Sequence, residues 1–85
     1  MIRFISPNPT WSGKTNLYFE ISGEPGDVLV ELYTMDGIKI QSSVLQQDDY
    51  IQGFLSVDTG SLTGGIYIVV LSSADEFDAV KLFVL

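Results

Sequence analysis

The amino-acid sequence predicts an all-β domain, two antiparallel sheets packed as a sandwich. Three observations predict it. Apolar and polar residues alternate with a period of two along most of the chain. Glycine, proline, asparagine and aspartate interrupt that alternation at close intervals. No segment sustains a helical period.

Composition sets the bounds. A chain of 85 residues is a single domain, 1–85. Such a domain buries only about 60% of the surface its unfolded chain exposes, so its core must be efficient. Hydrophobic residues at 46% supply that core, and charged residues at only 18% argue against disorder. There is no cysteine, so disulfides and thiolate chemistry are excluded and packing alone holds the domain. There is no histidine, which removes the commonest general base and metal ligand. The net charge is −7, and the basic residues Arg3, Lys14, Lys39 and Lys81 are dispersed. Neither a nucleic acid nor an anionic membrane is the expected partner of such a surface. The longest apolar run, Ile66 to Leu71, is far short of the ~20 residues a membrane-spanning helix needs. Met1 to Ile5 is too short for a signal peptide before Pro7, so an export signal is expected upstream in a longer parent.

The elements follow in order. Ile2–Ile5 reads as a first short strand. Ser6-Pro7-Asn8-Pro9 ends it, because prolines cannot donate ladder hydrogen bonds and favour an extended, turn-like path. Thr10–Lys14 is loop. Thr15–Ser22 is a strand with Leu17, Phe19 and Ile21 on one face, and Gly23-Glu-Pro-Gly26 is a turn. Asp27–Thr34 is the next strand. Val28, Val30 and Leu32 form its core face, because the opposite set contains Glu31. Asp36-Gly37 between two alternating segments marks a hairpin, and Gly37 supplies the positive φ such a turn requires. Ile38–Leu45 is the return strand. Gln46–Gln52, polar, is expected as loop. Gly53–Val57 is a short strand. Asp58–Gly65 is a long turn in which Leu62 plugs into the core. Ile66–Leu71 is the most apolar strand and is expected to be central. Ser72–Asp78 is an acidic turn, and Ala79–Leu85 is the last strand. About seven strands of this length and spacing fit an Ig-like sandwich.

Catalytic chemistry has little to work with. Carboxylates are the only candidates: Asp48-Asp49, Asp58 and the group Asp75, Glu76 and Asp78. They lie in polar loops and read as solvated acids, not as a glycosidase pair facing across a cleft. Asp75-Glu-Phe-Asp78 lacks the alternating oxygen donors of a calcium loop. No metal or cofactor is expected, and no enzyme. Gly64-Gly65 leads into a strand without a Lys-Ser/Thr context, so it reads as a tight backbone approach and not as a phosphate loop. Trp11 reads either as a sugar-stacking residue or, more in keeping with its two neighbouring prolines, as a cap over one end of the sandwich. Tyr67 reads equally as the tyrosine corner of an Ig-like domain or as a half-buried strand aromatic. The end of the chain, Val80-Lys-Leu-Phe-Val-Leu85, is core-type sequence with nothing polar after it. That pattern fits a domain cut at its last strand. It also fits a terminus read by another protein through strand pairing or capture of its carboxylate. Lys81 fits a charge that protects an edge strand.

Taken together, several of these pieces resemble the type A C-terminal sorting domain of the type IX (Por) secretion system. They are Pro7-Asn8-Pro9, the segment Val28-Leu-Val-Glu-Leu-Tyr-Thr-Met-Asp-Gly37, Leu62, Gly65-Ile-Tyr-Ile-Val-Val70, and Lys81 close to the end. The resemblance covers nearly the whole chain in order and spacing. It implies a non-catalytic Ig-like domain at the C-terminus of a larger protein exported by Bacteroidetes-type bacteria. Such a cargo passes through the periplasm and the outer-membrane translocon, loses the domain to a sortase-like component, and is anchored on the cell surface or released. The motif residues carried over are Pro7, Asn8, Pro9, Gly37, Gly65, Tyr67 and Lys81. Recognition is expected to add Leu82, Phe83, Val84 and Leu85 of the last strand. One departure is the turn Ser72–Asp78, acidic where the family is commonly glycine-rich. The alternative function is an Ig-like or fibronectin-like accessory module that binds carbohydrate or protein for a secreted enzyme. Trp11, Tyr18, Tyr33 and Tyr50 are its candidate aromatics, and alternation does not gather them on one face. An exposed last strand would also allow isolated copies to pair edge to edge.

Overall fold

A computed structural model describes residues 1–11, 13–21, 26–74 and 76–85. The expected turn at Gly23-Glu-Pro, together with Ser22 and Asp75, lies outside the described residues. Among the described residues, seven strands form two antiparallel sheets: β1 (Ile2–Ser6), β2 (Lys14–Phe19) and β5 (Phe54–Asp58) in one, and β4 (Lys39–Val44), β3 (Leu29–Thr34), β6 (Gly65–Ser72) and β7 (Phe77–Val84) in the other. The order is β1-β2-β5 and β4-β3-β6-β7. β4 stays beside β3 and does not cross to join β5. β6, the most apolar segment, is central in the four-stranded sheet, as its composition predicts.

Period two explains the core. Leu17 and Phe19 of β2, Val30 and Leu32 of β3, Val57 of β5, Tyr67, Val69 and Leu71 of β6, and Leu82 and Val84 of β7 all turn inward and are buried. The predicted core set Val28, Val30 and Leu32 is buried, although Val28 precedes the strand. Ile21 and Leu62 are partly buried and pack against the core, so Leu62 does anchor its loop.

The β3–β4 hairpin forms at the Asp36-Gly37 pair. The Gly37 N–H donates to the Thr34 carbonyl at 3.0 Å, and the Thr34 N–H donates to the Ile38 carbonyl at 2.9 Å. Gly37 has φ +87°, which a β-branched residue would not tolerate, and the register shifts just inside the turn.

Three expectations are corrected. Gln47–Gln52 is a one-and-a-half-turn helix, α1, not loop. Its first turn carries Asp48 and Asp49. The Asp49 carboxylate accepts the Gln46 N–H at 2.8 Å, and Gly53 ends the helix in the left-handed region at φ +80°. Helix capping was therefore present in sequence, in a segment too short to show a helical period. The last strand begins at Phe77, inside the expected acidic turn, because Phe77 and Asp78 pair with Ser72 and Leu71. Trp11 is not packed down as a cap: it is 71% exposed, at the rim of a depression it shares with Leu62 and Val84.

The two long sides of the sandwich differ. On one side, β1 lies against β7 and the Ile2 N–H donates to Asp78 Oδ2 at 3.0 Å. On the other, β4 and β5 leave a cleft of about 350 Å³ floored by Val30, Leu32, Val57 and Val69. Only the Gln41 side-chain amide, donating to the Asp58 carbonyl at 2.8 Å, bridges its rim among the bonds of the described residues.

Candidate recognition site at the last strand

The motif residues Pro7, Asn8 and Pro9 lie beside the last strand, although more than 70 positions separate Asn8 from Lys81. Both Ser6–Pro7 and Asn8–Pro9 peptide bonds are cis. Between the prolines, the Asn8 side chain behaves as a piece of strand. Its Nδ2 donates to the Lys81 carbonyl at 2.9 Å, and its Oδ1 accepts the Phe83 N–H at 2.9 Å. The partners fix the amide orientation, since a carbonyl needs the donor and an N–H the acceptor. The backbone then takes over: the Thr10 N–H donates to the Phe83 carbonyl at 2.8 Å, and the Leu85 N–H donates to the Thr10 carbonyl at 3.0 Å. Thr10 thus forms a parallel bridge with Val84.

The segment is tied down behind this contact. Thr10 and Thr15 are buried and both satisfied. Thr10 Oγ1 donates to the Lys14 carbonyl at 2.8 Å, and Thr15 Oγ1 donates to the Pro7 carbonyl at 2.6 Å. The outward backbone groups of the last strand from Lys81 O to Leu85 N are consequently occupied. Strand pairing by a partner or a second copy along this stretch, expected from the sequence, has no free ladder groups to use. The prolines do not merely end β1; they place Asn8 where it seals an edge. The bare edge of the four-stranded sheet is β4, where the outward groups at Ser42 follow from the alternation of the ladder.

Of the other motif residues, Tyr67 and Gly65 lie around the same corner. Tyr67 is buried, and its hydroxyl donates to the Thr63 carbonyl at 2.7 Å, four residues upstream. This is the geometry of a tyrosine corner. Gly64, not Gly65, makes the close approach: a Cβ on Gly64 would lie 3.4 Å from the Val84 carbonyl oxygen, whereas one on Gly65 would meet open space. Gly37 lies in the β3–β4 turn, apart from this corner. The last residues divide by alternation. Leu82 and Val84 are buried; Lys81, Phe83 and Leu85 face out, Phe83 at 40% and Leu85 at 75% exposure.

Three of the described acids serve the backbone. Asp49 accepts from Gln46, Asp58 Oδ1 accepts the Gly60 N–H at 2.9 Å, and Asp78 accepts from Ile2 and, through Oδ1, from Ala79 at 2.9 Å. Among the described residues no group of three acidic side chains is placed to hold a metal, and no helix is long and apolar enough to cross a membrane.

The aromatics were harder to anticipate. Phe4, Tyr18 and Phe54 form a row across the outer face of β1, β2 and β5, with ring centroids 4.5 Å and 5.4 Å apart. The Phe4 and Tyr18 planes are only 22° apart, so their ring faces are turned to each other and not to a sugar. Tyr50 packs edge-on against Phe19, and Tyr33 lies in the other sheet. Cross-strand register was the missing signal, because Phe4 and Phe54 come to flank Tyr18 only once both pair with it.

The family model of the secretion system C-terminal sorting domain matches residues 5–85. The chain belongs to that family. No curated protein matches it. As a member, this sorting domain is a signal of the type IX secretion system, of a family without catalytic function, and it works with that system's machinery. Its cargo is bound for the cell surface or the extracellular space.

Proposed function

We propose that the folded sorting domain directs its cargo from the periplasm through the outer-membrane translocon, and that the translocon reads the outward side of the last strand. A sortase-like component then removes the domain, and the cargo is attached to the surface or released. The observation that carries this reading is the division of β7. Leu82 and Val84 are committed to the core, while Lys81, Phe83 and Leu85 stand outward beside the Pro7–Thr10 segment that fixes their backbone. Recognition through side chains is favoured over strand pairing, since the ladder groups of this stretch are already used.

The test is a fusion of residues 1–85 behind a signal peptide and a fluorescent reporter, expressed in a bacterium carrying the type IX system and in a translocon-deficient strain. The reading predicts reporter outside the cell only in the first. Retention of a folded fusion in the periplasm of both would overturn it and favour an accessory binding module. Deleting residues 81–85 is a poor substitute, because it removes Leu82 and Val84 from the core together with the outward residues.

A further inference from the structure

An antiparallel sheet of a two-layer sandwich ordinarily turns a polar face to water. Across β6 and β7 the four-stranded sheet does not, although its β3–β4 part carries Glu31, Lys39 and Ser42. Register puts Ile68 opposite both Tyr33 and Lys81, Ile66 opposite Phe83, and Val70 opposite Ala79, all on the outer face. Ile66 is 42% exposed and Phe83 40%. Cross-strand neighbours stand about 5 Å apart, so these side chains form one apolar field across β3, β6 and β7.

Charge within the field is sparse and uneven. Glu31 is already paired with Lys39, Oε2 to Nζ at 3.2 Å. Lys81 is exposed and makes no ion pair among the described residues. Its neighbours along β7 on the same face are Ala79 and Phe83, and across the ladder Ile68. A depression of about 240 Å³ beside it is lined by Ile68, Ala79 and Val80. A lone cation amid apolar side chains can be covered by a partner only if that partner supplies the opposite charge, because an unpaired ammonium resists desolvation.

We infer that this face docks on an apolar protein surface of the secretion machinery that places a carboxylate against Lys81. The inference rests on the sorting reading and adds where the contact lies and what the partner must present. Other occupants fit less well. A second copy stacked face to face about a two-fold axis would bring like-charged Lys81 fields together. An anionic membrane would meet one cation on a domain of net charge −7.

The test uses the same reporter fusion with Lys81→Arg, Lys81→Glu and, as a control for net charge, Arg3→Glu on the exposed side of β1. Lys81→Arg and Arg3→Glu should export within about twofold of the parent, and Lys81→Glu should fall by about tenfold or more. All three should melt within a few degrees of the parent, being surface substitutions. Export of Lys81→Glu at the parental level, or equal losses for Lys81→Arg and Lys81→Glu, overturns the inference. Failure of the parent fusion to export is a different result: it overturns the sorting reading beneath it.

Discussion

The two outer faces of the sandwich solve the same problem differently. The three-stranded sheet settles its exposed aromatics among themselves. Phe4 stacks on Tyr18, Phe54 leans against Tyr18 from the other side, and beside them the Ser56 hydroxyl donates to Asn16 Oδ1 at 2.8 Å. The four-stranded sheet leaves Ile66 and Phe83 exposed, Ile68 half-buried between them, and Lys81 without an ion pair among the described residues. The aromatics of the first face have one another as partners, although Phe4 keeps half of its surface exposed. The second face is the one proposed above to be covered by a partner. Outer-face residues of the first sheet should therefore matter for stability, and those of the second for sorting.

The largest effect expected comes from β7 itself, where the division between inside and outside can be tested within one strand. Leu82 is fully buried. Leu82→Ala should cost about 3 kcal/mol, within the ordinary range for a core leucine, and lower the melting temperature accordingly. Phe83→Ala, one residue on and outward, should cost less than about 1 kcal/mol. Chemical denaturation of the two variants would measure the gap, and equal losses would contradict the assignment of faces.

Next comes the sealed edge. Asn8→Asp replaces the Nδ2 donor with an oxygen that faces the Lys81 carbonyl, so it should cost about 1–2 kcal/mol. Hydrogen exchange at the Phe83 amide should quicken with it, while Lys81→Arg should leave that amide as slow as before. Tyr67→Phe should cost a similar 1–2 kcal/mol or so, because it leaves the Thr63 carbonyl without its donor. Tyr18→Ala should cost about 1 kcal/mol through the aromatic row and leave export unchanged. The smallest effect belongs to the Glu31–Lys39 pair. Glu31→Gln should change stability by less than about 1 kcal/mol, and less still in high salt.

Much of this was legible in the residues. In Asp27–Thr34 the uncharged set Val28, Val30 and Leu32 marked the core face, the apolar run Ile66–Leu71 marked a central strand, and Asp36-Gly37 marked the hairpin. The order of Pro7-Asn8-Pro9, Gly65-Ile-Tyr and Lys81 carried the family. What stayed hidden depends on long-range register. Asn8 and Phe83 lie 75 positions apart, so no local pattern shows that a side-chain amide completes the last strand's edge. The open outer face was hidden for the same reason. Alternation tells one side of a strand from the other, but Ile66, Ile68, Lys81 and Phe83 become one surface only when β6 pairs with β7. Helix α1 was missed because six residues are too few to display a period of 3.6.

The most direct measurement compares the two faces with matched substitutions. Ile68→Ser on the four-stranded sheet and Tyr18→Ser on the three-stranded sheet would each be placed in the reporter fusion, with export and melting temperature measured for both. The Ile68 variant should stay folded and be retained in the periplasm, while the Tyr18 variant should melt earlier and still be exported. Equal export of the two would contradict this.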